Sequence, residues 1–253
     1  MVNNRLKKIF AEGKAAIGCF IACNVPDMVE ILGIAGYDFI LIDTEHGPLG
    51  PESSQHLIRA AELRGITPIV RIPNSMESTI LHILDIGAHG IQVPQVNDPE
   101  TAKAIVSRSK YHPLGMRGLA LMRSADYGLT DHVKYFEHEN NETMIIAHCE
   151  NTGCLENLDA ICQVPGIDVI FLGPYDMSQS MGIAGQVTHP RIQEAAKKVV
   201  ETTRKYGKVA GIYAGSGAAA KERAAQGFQF VAVGTDLSLF SAKCIQEMDV
   251  FKS

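Results

Sequence analysis

The sequence predicts an α/β fold, a single (β/α)8 TIM barrel with a short N-terminal helix. Three observations carry that expectation: eight short β-rich apolar runs, helix-like segments between them, and a length of 253 residues that suits eight such units. The runs are "GCFIAC" (18–23), "DFILIDTE" (38–45), "TPIVRI" (67–72), "GIQVPQV" (90–96), "TMIIAHCE" (143–150), "DVIFLG" (168–173), "VAGIYAG" (209–215) and "FVAVGTD" (230–236). They are almost continuously apolar rather than alternating, as parallel strands covered on both faces should be.

Each element follows from local composition. "MVNNRLKKIFAEGK" reads as a short amphipathic helix, and it lacks the long apolar core of a secretion signal. "PDMVEILGIAG", "PESSQHLIRAAELRG", "MESTILHILDIG", "DPETAKAIVSRSK" and "HPRIQEAAKKVVETTRKYG" read as helices between the strands. Several open on Pro, Asp, Ser or Glu and close on Gly, the expected capping asymmetry. An open doubly wound sheet would more often carry a Gly-rich phosphate loop after its first strand, and "CNVPDM" is not one. Gly and Pro are scattered, so the expectation is one domain over residues 1–253.

Composition narrows the partners. A net charge of −5 with dispersed Lys and Arg leaves no basic surface for nucleic acid. No stretch reaches the roughly 18 to 20 apolar residues of a membrane span, so no membrane partner is expected. Six cysteines without a C-x-x-C pair point to reduced thiols and a cytoplasmic location.

In such a barrel, chemistry gathers at the C-terminal ends of the strands. There the sequence places Asp43, Glu45, His46, Arg71, His148, Glu150 and Asp176, whereas the strand beginnings are plain. Glu150 and Asp176 come from consecutive strands, roughly 5 Å apart, and such a pair suits a hard divalent cation that keeps positions for water and substrate. The competing reading pairs them with Arg or Lys. Arg71 presents an always-charged planar fork suited to a carboxylate or a developing enolate, or else a structural salt bridge to Glu45 or Glu150. His46 can act as acid or base, oriented by Asp85, or merely bond a loop carbonyl. No strand run contains a lysine, so a Schiff-base route lacks its amine.

"IDTEHGP", "VRIP", "LDIGAHGIQVPQV", "GMRG", "CEN", "GPYDMSQSMG" and "VAVGTD" together resemble the ordered motifs of the HpcH/HpaI aldolase family over about residues 17 to 245. The resemblance implies a class II, metal-dependent pyruvate aldolase, a carbon–carbon lyase that cleaves a 4-hydroxy-2-oxo acid to pyruvate and an aldehyde through a metal-stabilised pyruvate enolate. It implies Glu150 and Asp176 as ligands of Mg²⁺, Mn²⁺ or Co²⁺, and Arg71 on the enolate. It further implies His46 with Asp85 in proton transfer, and the amides of Tyr175 and Asp176 on the substrate carboxylate. It implies a hexamer whose sites borrow loops from a neighbour, with residues 111 to 130 as such a loop. Many members carry Gln where this chain has His148. Strand periodicity points His148 into the site with Glu150 and turns Cys149 outward, so His148 is expected on the substrate or as a third metal ligand. Rival readings are an oxaloacetate decarboxylase built on the same residues, a sugar-phosphate barrel using the glycines after the last two strands, and a catalytically silent binding subunit.

Overall fold

The structure is a computed structural model that describes all 253 residues. Strands β1 (Ala16–Ile21), β2 (Phe39–Asp43), β3 (Thr67–Arg71), β4 (Gly90–Val93), β5 (Met144–Cys149), β6 (Val169–Leu172), β7 (Val209–Ala214) and β8 (Phe230–Thr235) pair in parallel in sequence order and close into a barrel. Helix α1 (Arg5–Ala11) precedes β1; α2 (Pro26–Ile34), α3 (Pro51–Leu63), α4 (Glu77–Asp85) and α5 (Pro99–Ser109) follow the first four strands. A 3₁₀ turn (Arg123–Gly128) and α6 (His132–Glu142) lead into β5. The second half adds α7 (Thr152–Glu156), α8 (Leu158–Cys162), α9 (Pro174–Ser180), α10 (Pro190–Lys205), α11 (Gly217–Ala225) and α12 (Asp236–Lys252). No helix is long and apolar enough to cross a membrane, and all six cysteines are free.

Strand alternation separates two cores. Outward residues such as Ile40, Ile42, Ile145, Ala147 and Cys149 pack against the helices, and inward residues such as Phe39, Leu41, Ile69, Met144, Ile146, Phe171 and Phe230 fill the barrel. Leu6 of α1 joins this inner core, with Ile9 and Phe10 beside it, so α1 plugs the end where the strands begin. Phe39 and Phe230 stack with centroids 4.0 Å apart, and their space exists because β1 carries Gly18 there. A Cβ on Gly18 would lie 2.1 Å from the Phe39 ring.

Three strands stop two or three residues short of the apolar runs, each for a local reason at the working end. The first run ends at Ile21 because the next two amides turn aside: Ala22 donates to Asp236 Oδ1 at 3.1 Å and Cys23 to Oδ2 at 2.9 Å. The second ends at Asp43, whose Oδ1 accepts from the amides of Glu45 and His46. The fourth ends at Val93 because Pro94 has no N–H and Gln95 turns left-handed at φ 55°. Each interruption hands strand-end backbone to the rim.

Gly18→Ala should cost about 1–3 kcal/mol, the range for overpacking a close-packed core. Urea denaturation would register it as a lower midpoint at unchanged slope, and an unchanged midpoint would show that the Phe39–Phe230 stack yields freely.

Candidate active site

Asp43 and Arg71 are register partners on adjacent strands, and both side chains point into the barrel. Arg71 donates from Nε to Asp43 Oδ1 at 3.0 Å and from Nη2 to Oδ2 at 2.6 Å, a bidentate fork. Its Nη1 lies 3.4 Å from Glu45 Oε2, and its guanidinium sits 4.8 Å from the centroid of Phe20. Burial pushes the Asp43 carboxyl up, but Arg71 and the two loop amides more than offset this and hold it below its ordinary value. Glu45 goes the other way: burial raises it, Arg71 opposes, and the nearby charge of Glu150 adds to the rise.

Glu150 follows the end of β5 and is buried. Its Oε1 accepts from the Gln95 amide at 2.8 Å, and its Oε2 lies 2.9 Å from His148 Nδ1. That contact is off the ring N–H axis, so both nitrogens of the buried His148 lack a formed hydrogen bond. Burial pushes Glu150 up, but His148, the Gln95 amide and Arg71 together bring it below the ordinary value. His148 faces inward edge-on to Phe171 at 5.1 Å, and Cys149 packs outward among the helices, as strand parity required.

Arg71, His148, Tyr175 and Asp176 share one cavity of about 220 Å³ with Asp43, Phe20, Phe171 and Tyr213. Asp176 stands exposed in the first turn of α9, after Gly173 and Pro174. Gly173 is required there, because a Cβ would meet His148 Nε2 at 2.7 Å. A larger cavity of about 340 Å³ opens at the opposite end of the barrel, among Asn4, Glu62, His89 and Arg123. Its polar groups already satisfy one another: Glu62 binds Arg123 and His89, and Asn4 donates to the His89 carbonyl. The smaller cavity, by contrast, holds the unpaired His148 ring. No lysine lines it; Lys110, lowered to about 8 by burial, donates to the carbonyls of Asn140 and Thr143 far from the rim.

One expected pairing is not made. His46 is exposed at the mouth of the site with Glu45 Oε2 as its nearest carboxylate, at 4.0 Å. Asp85 does not orient it, because it closes α4 at the opposite end of the barrel and accepts there from Arg117 Nη2 at 2.8 Å. The sequence spacing hid this: residue 85 comes shortly before a strand, and a residue just before a strand lies at the far end from its tip. Arg117, from "GMRG", is buried over the Tyr111 ring at 4.7 Å, so the long connection is anchored rather than loose. Three side chains of the site region escaped sequence reading. They are Asp43 as the partner of Arg71, Asp236 as the tie between β8 and β1, and Gln92, fully buried beside Arg71 with both amide atoms unpaired. Only the first left a signal, its place at a strand end in register with Arg71.

The donor set fits a divalent cation that keeps open positions. Asp43, Glu45 and Glu150 stand near the single guanidinium of Arg71 and Asp176 lines the same cavity as Arg71, and Glu45 is raised by burial first and then by the charge of Glu150. No three His, Cys, Asp or Glu side chains gather as a closed metal cage. Carboxylate oxygens without such a cage suit Mg²⁺ or Mn²⁺ better than a structural zinc.

A buried guanidinium and a row of carboxylates at the strand tips of a (β/α)8 barrel are a set that a carbon–carbon lyase of the aldolase type could use, and the relatives of the chain are of that class. The chain belongs to the HpcH/HpaI aldolase/citrate lyase family, whose profile matches residues 16–242. It is 34% identical, over all of its length and 95% of the relative's, to 2-keto-3-deoxy-L-rhamnonate aldolase of Salmonella gallinarum. The crystal structure of an HpcH/HpaI aldolase from Desulfitobacterium hafniense superposes with a TM-score of 0.94 at 30% identity, covering 98% of this chain and 96% of that one. The citrate synthase SbnG gives 0.88 at 34% identity, covering 98% and 97%.

Asp43→Asn should destabilise the fold by about 3 kcal/mol at neutral pH, since it leaves a buried guanidinium with only Glu45 in reach. Asp43 has a folded value below its unfolded one, so its contribution is complete above the ordinary carboxylate range and is lost as the pH falls through the folded value. The deficit between variant and wild type, followed by urea denaturation, should therefore narrow below about pH 4; a constant deficit would detach the pair from stability.

Proposed function

We propose that the chain catalyses reversible cleavage of a 4-hydroxy-2-oxo acid to pyruvate and an aldehyde. The observation that carries this reading is the convergence of Arg71 with Glu150 and Asp176 beside a cavity that no lysine lines. The similarity to a 2-keto-3-deoxy-L-rhamnonate aldolase over the whole chain supports it.

Glu150 and Asp176 would hold a divalent cation, Mg²⁺, Mn²⁺ or Co²⁺. Bound there, it would supply a Lewis acid to the 2-oxo acid. The chain's own groups do the rest. His46, at the mouth with Glu45 beside it, takes the 4-hydroxyl proton through a water; it works without Asp85 of its own chain. The C3–C4 bond then breaks, its electron pair passes to the pyruvate enolate, and the carbon bearing the hydroxyl leaves as an aldehyde. Arg71 faces the enolate oxygen and cannot swing away, because Asp43 fixes two edges of its fork. Protonation of the enolate at C3 yields pyruvate. The first-turn amides of Tyr175 and Asp176 in α9 have no intrahelical acceptor and suit the substrate carboxylate. His148, on the inner wall with its nitrogens free of hydrogen bonds, would meet the oxo end.

The working form would be a homo-oligomer, a hexamer by family pattern. Every residue of α12 after Asp236 is exposed, including Leu237, Phe240, Ile245, Val250 and Phe251, and Met116, Leu119 and Leu129 add apolar surface on the long connection. So much exposed apolar surface calls for a second copy to cover it. Six free thiols suit a reducing, cytoplasmic setting.

A pyruvate-release assay over a panel of 4-hydroxy-2-oxo acids should find activity that EDTA abolishes and Mg²⁺, Mn²⁺ or Co²⁺ restores. Full activity in chelator with borohydride trapping would overturn the metal route, and pyruvate released from oxaloacetate alone would make the enzyme a decarboxylase. Arg71→Ala should lower kcat by about 10²- to 10³-fold, and a silent barrel would show no change with Glu150→Gln. Light scattering should give a native mass that is a multiple of 27.4 kDa.

A further inference from the structure

Gln95 is the one residue of the rim other than glycine with a left-handed backbone; the other two in the chain, Asp126 and Tyr127, lie in the remote 3₁₀ turn. Such a conformation is disfavoured for a residue with a Cβ and persists only where its surroundings over-determine it. Here they do. The Asn151 side-chain amide donates to Gln95 Oε1 at 2.9 Å and also to Asn97 Oδ1, and Asn157 donates to the Asn97 carbonyl at 2.9 Å. Asn151 is itself fixed, because its Oδ1 accepts from the Cys154 amide and caps α7. The Gln95 side chain is otherwise exposed. What this lattice of amides achieves is the direction of one backbone N–H: it donates to Glu150 Oε1 at 2.8 Å. A change of φ at Gln95 would have to swing either the chain toward Asn97, which Asn151 and Asn157 hold, or the Pro94–Gln95 peptide that carries this N–H.

We propose that Gln95 is a positioning residue, whose left-handed backbone locks Glu150 so that its carboxylate plane is set for a divalent cation before the cation arrives. An amide on Oε1 and the His148 ring 2.9 Å from Oε2 restrain the carboxylate's rotation about its terminal bond. The amide is a neutral donor and occupies one lone pair of Oε1, so it orients the group without cancelling the charge a cation needs. Outer partners of this kind typically set metal affinity by 10- to 100-fold. This inference rests on the reading of Glu150 as a metal ligand.

The test is Mn²⁺ affinity of the metal-free full-length protein, read from the electron paramagnetic resonance of free Mn²⁺, with melting temperature alongside. Gln95→Val, whose branched Cβ disfavours the left-handed region, should weaken Mn²⁺ about 10-fold or more. Gln95→Gly and Gln95→Asn, which enter that region readily, should stay within about 3-fold of wild type. If Gln95→Val fails to fold, Gln95→Ala takes its place, with a smaller weakening expected. Glu150→Ala is the control for the underlying reading. If it binds Mn²⁺ like wild type, Glu150 is no ligand and both claims fall together. If Glu150→Ala weakens binding but the Val or Ala variant does not, the metal reading stands and the role of Gln95 is refuted. Equal loss in the Gly and Val variants would assign the effect to the side chain and also refute it.

Discussion

The guanidinium of Arg71 is a permanent charge inside a barrel whose neighbouring layers are phenylalanine, leucine and isoleucine, and the working end is organised around neutralising it. Asp43 does most of that, and strand register puts it there: the two residues are paired positions of β2 and β3. The same carboxylate bends the chain after β2 by taking the Glu45 and His46 amides, which sets Glu45 against Arg71 and leaves His46 at the mouth. One ion pair thus fixes a guanidinium, shapes a loop and places a histidine at the mouth. Removing it would leave a charge that the barrel has no apolar way to accommodate.

Negative charge runs the other way, in excess. Glu45 is raised partly because Glu150 is near, while Glu150 is lowered by His148, the Gln95 amide and Arg71. Burial pushes both up; Glu150 is brought back down by His148, the Gln95 amide and Arg71, whereas Glu45 has only Arg71 at 3.4 Å and His46 at 4.0 Å. A buried Glu150 held below its ordinary value, with further carboxylates around it, would suit a cation, as proposed above. The cavity at the other end shows the contrast. It is larger and more polar, but Glu62, Arg123, His89 and Asn4 are occupied with one another.

The barrel was legible because its strands are buried on both faces and so read as apolar runs, and because parity along β5 sends His148 inward and Cys149 outward without knowledge of any neighbour. Arg71, Glu150 and Asp176 were legible as strand-end charges. The Asp43–Arg71 pair was only half visible, since adjacency follows from register, which sequence order suggests but does not number. Asp85 misled for a physical reason. Closeness in sequence to a strand start marks the wrong end of a barrel, and its partner Arg117 comes from a connection whose path no periodicity encodes. Gln95 was invisible, because its contribution is a backbone direction, decided by three asparagine side chains scattered from 97 to 157.

The backbone contribution bears on how one barrel can host several carbon–carbon reactions. This chain is equally identical, at 34%, to a 2-keto-3-deoxy-L-rhamnonate aldolase and to a citrate synthase, so much of what chooses the reaction must lie outside the charges that make an enolate tolerable. The residues that hold those charges in place are also poor candidates for it. Asp43 acts on Arg71 and Gln95 acts on Glu150, and neither chooses the group that the enolate attacks or releases. His148 is different. It lies on the cavity wall, its nitrogens have no formed hydrogen bond, and only the missing side chain of Gly173 makes room for it. A ring so buried and so unsatisfied costs stability unless a partner completes it, and on the reading proposed above that partner would be a polar group of the substrate.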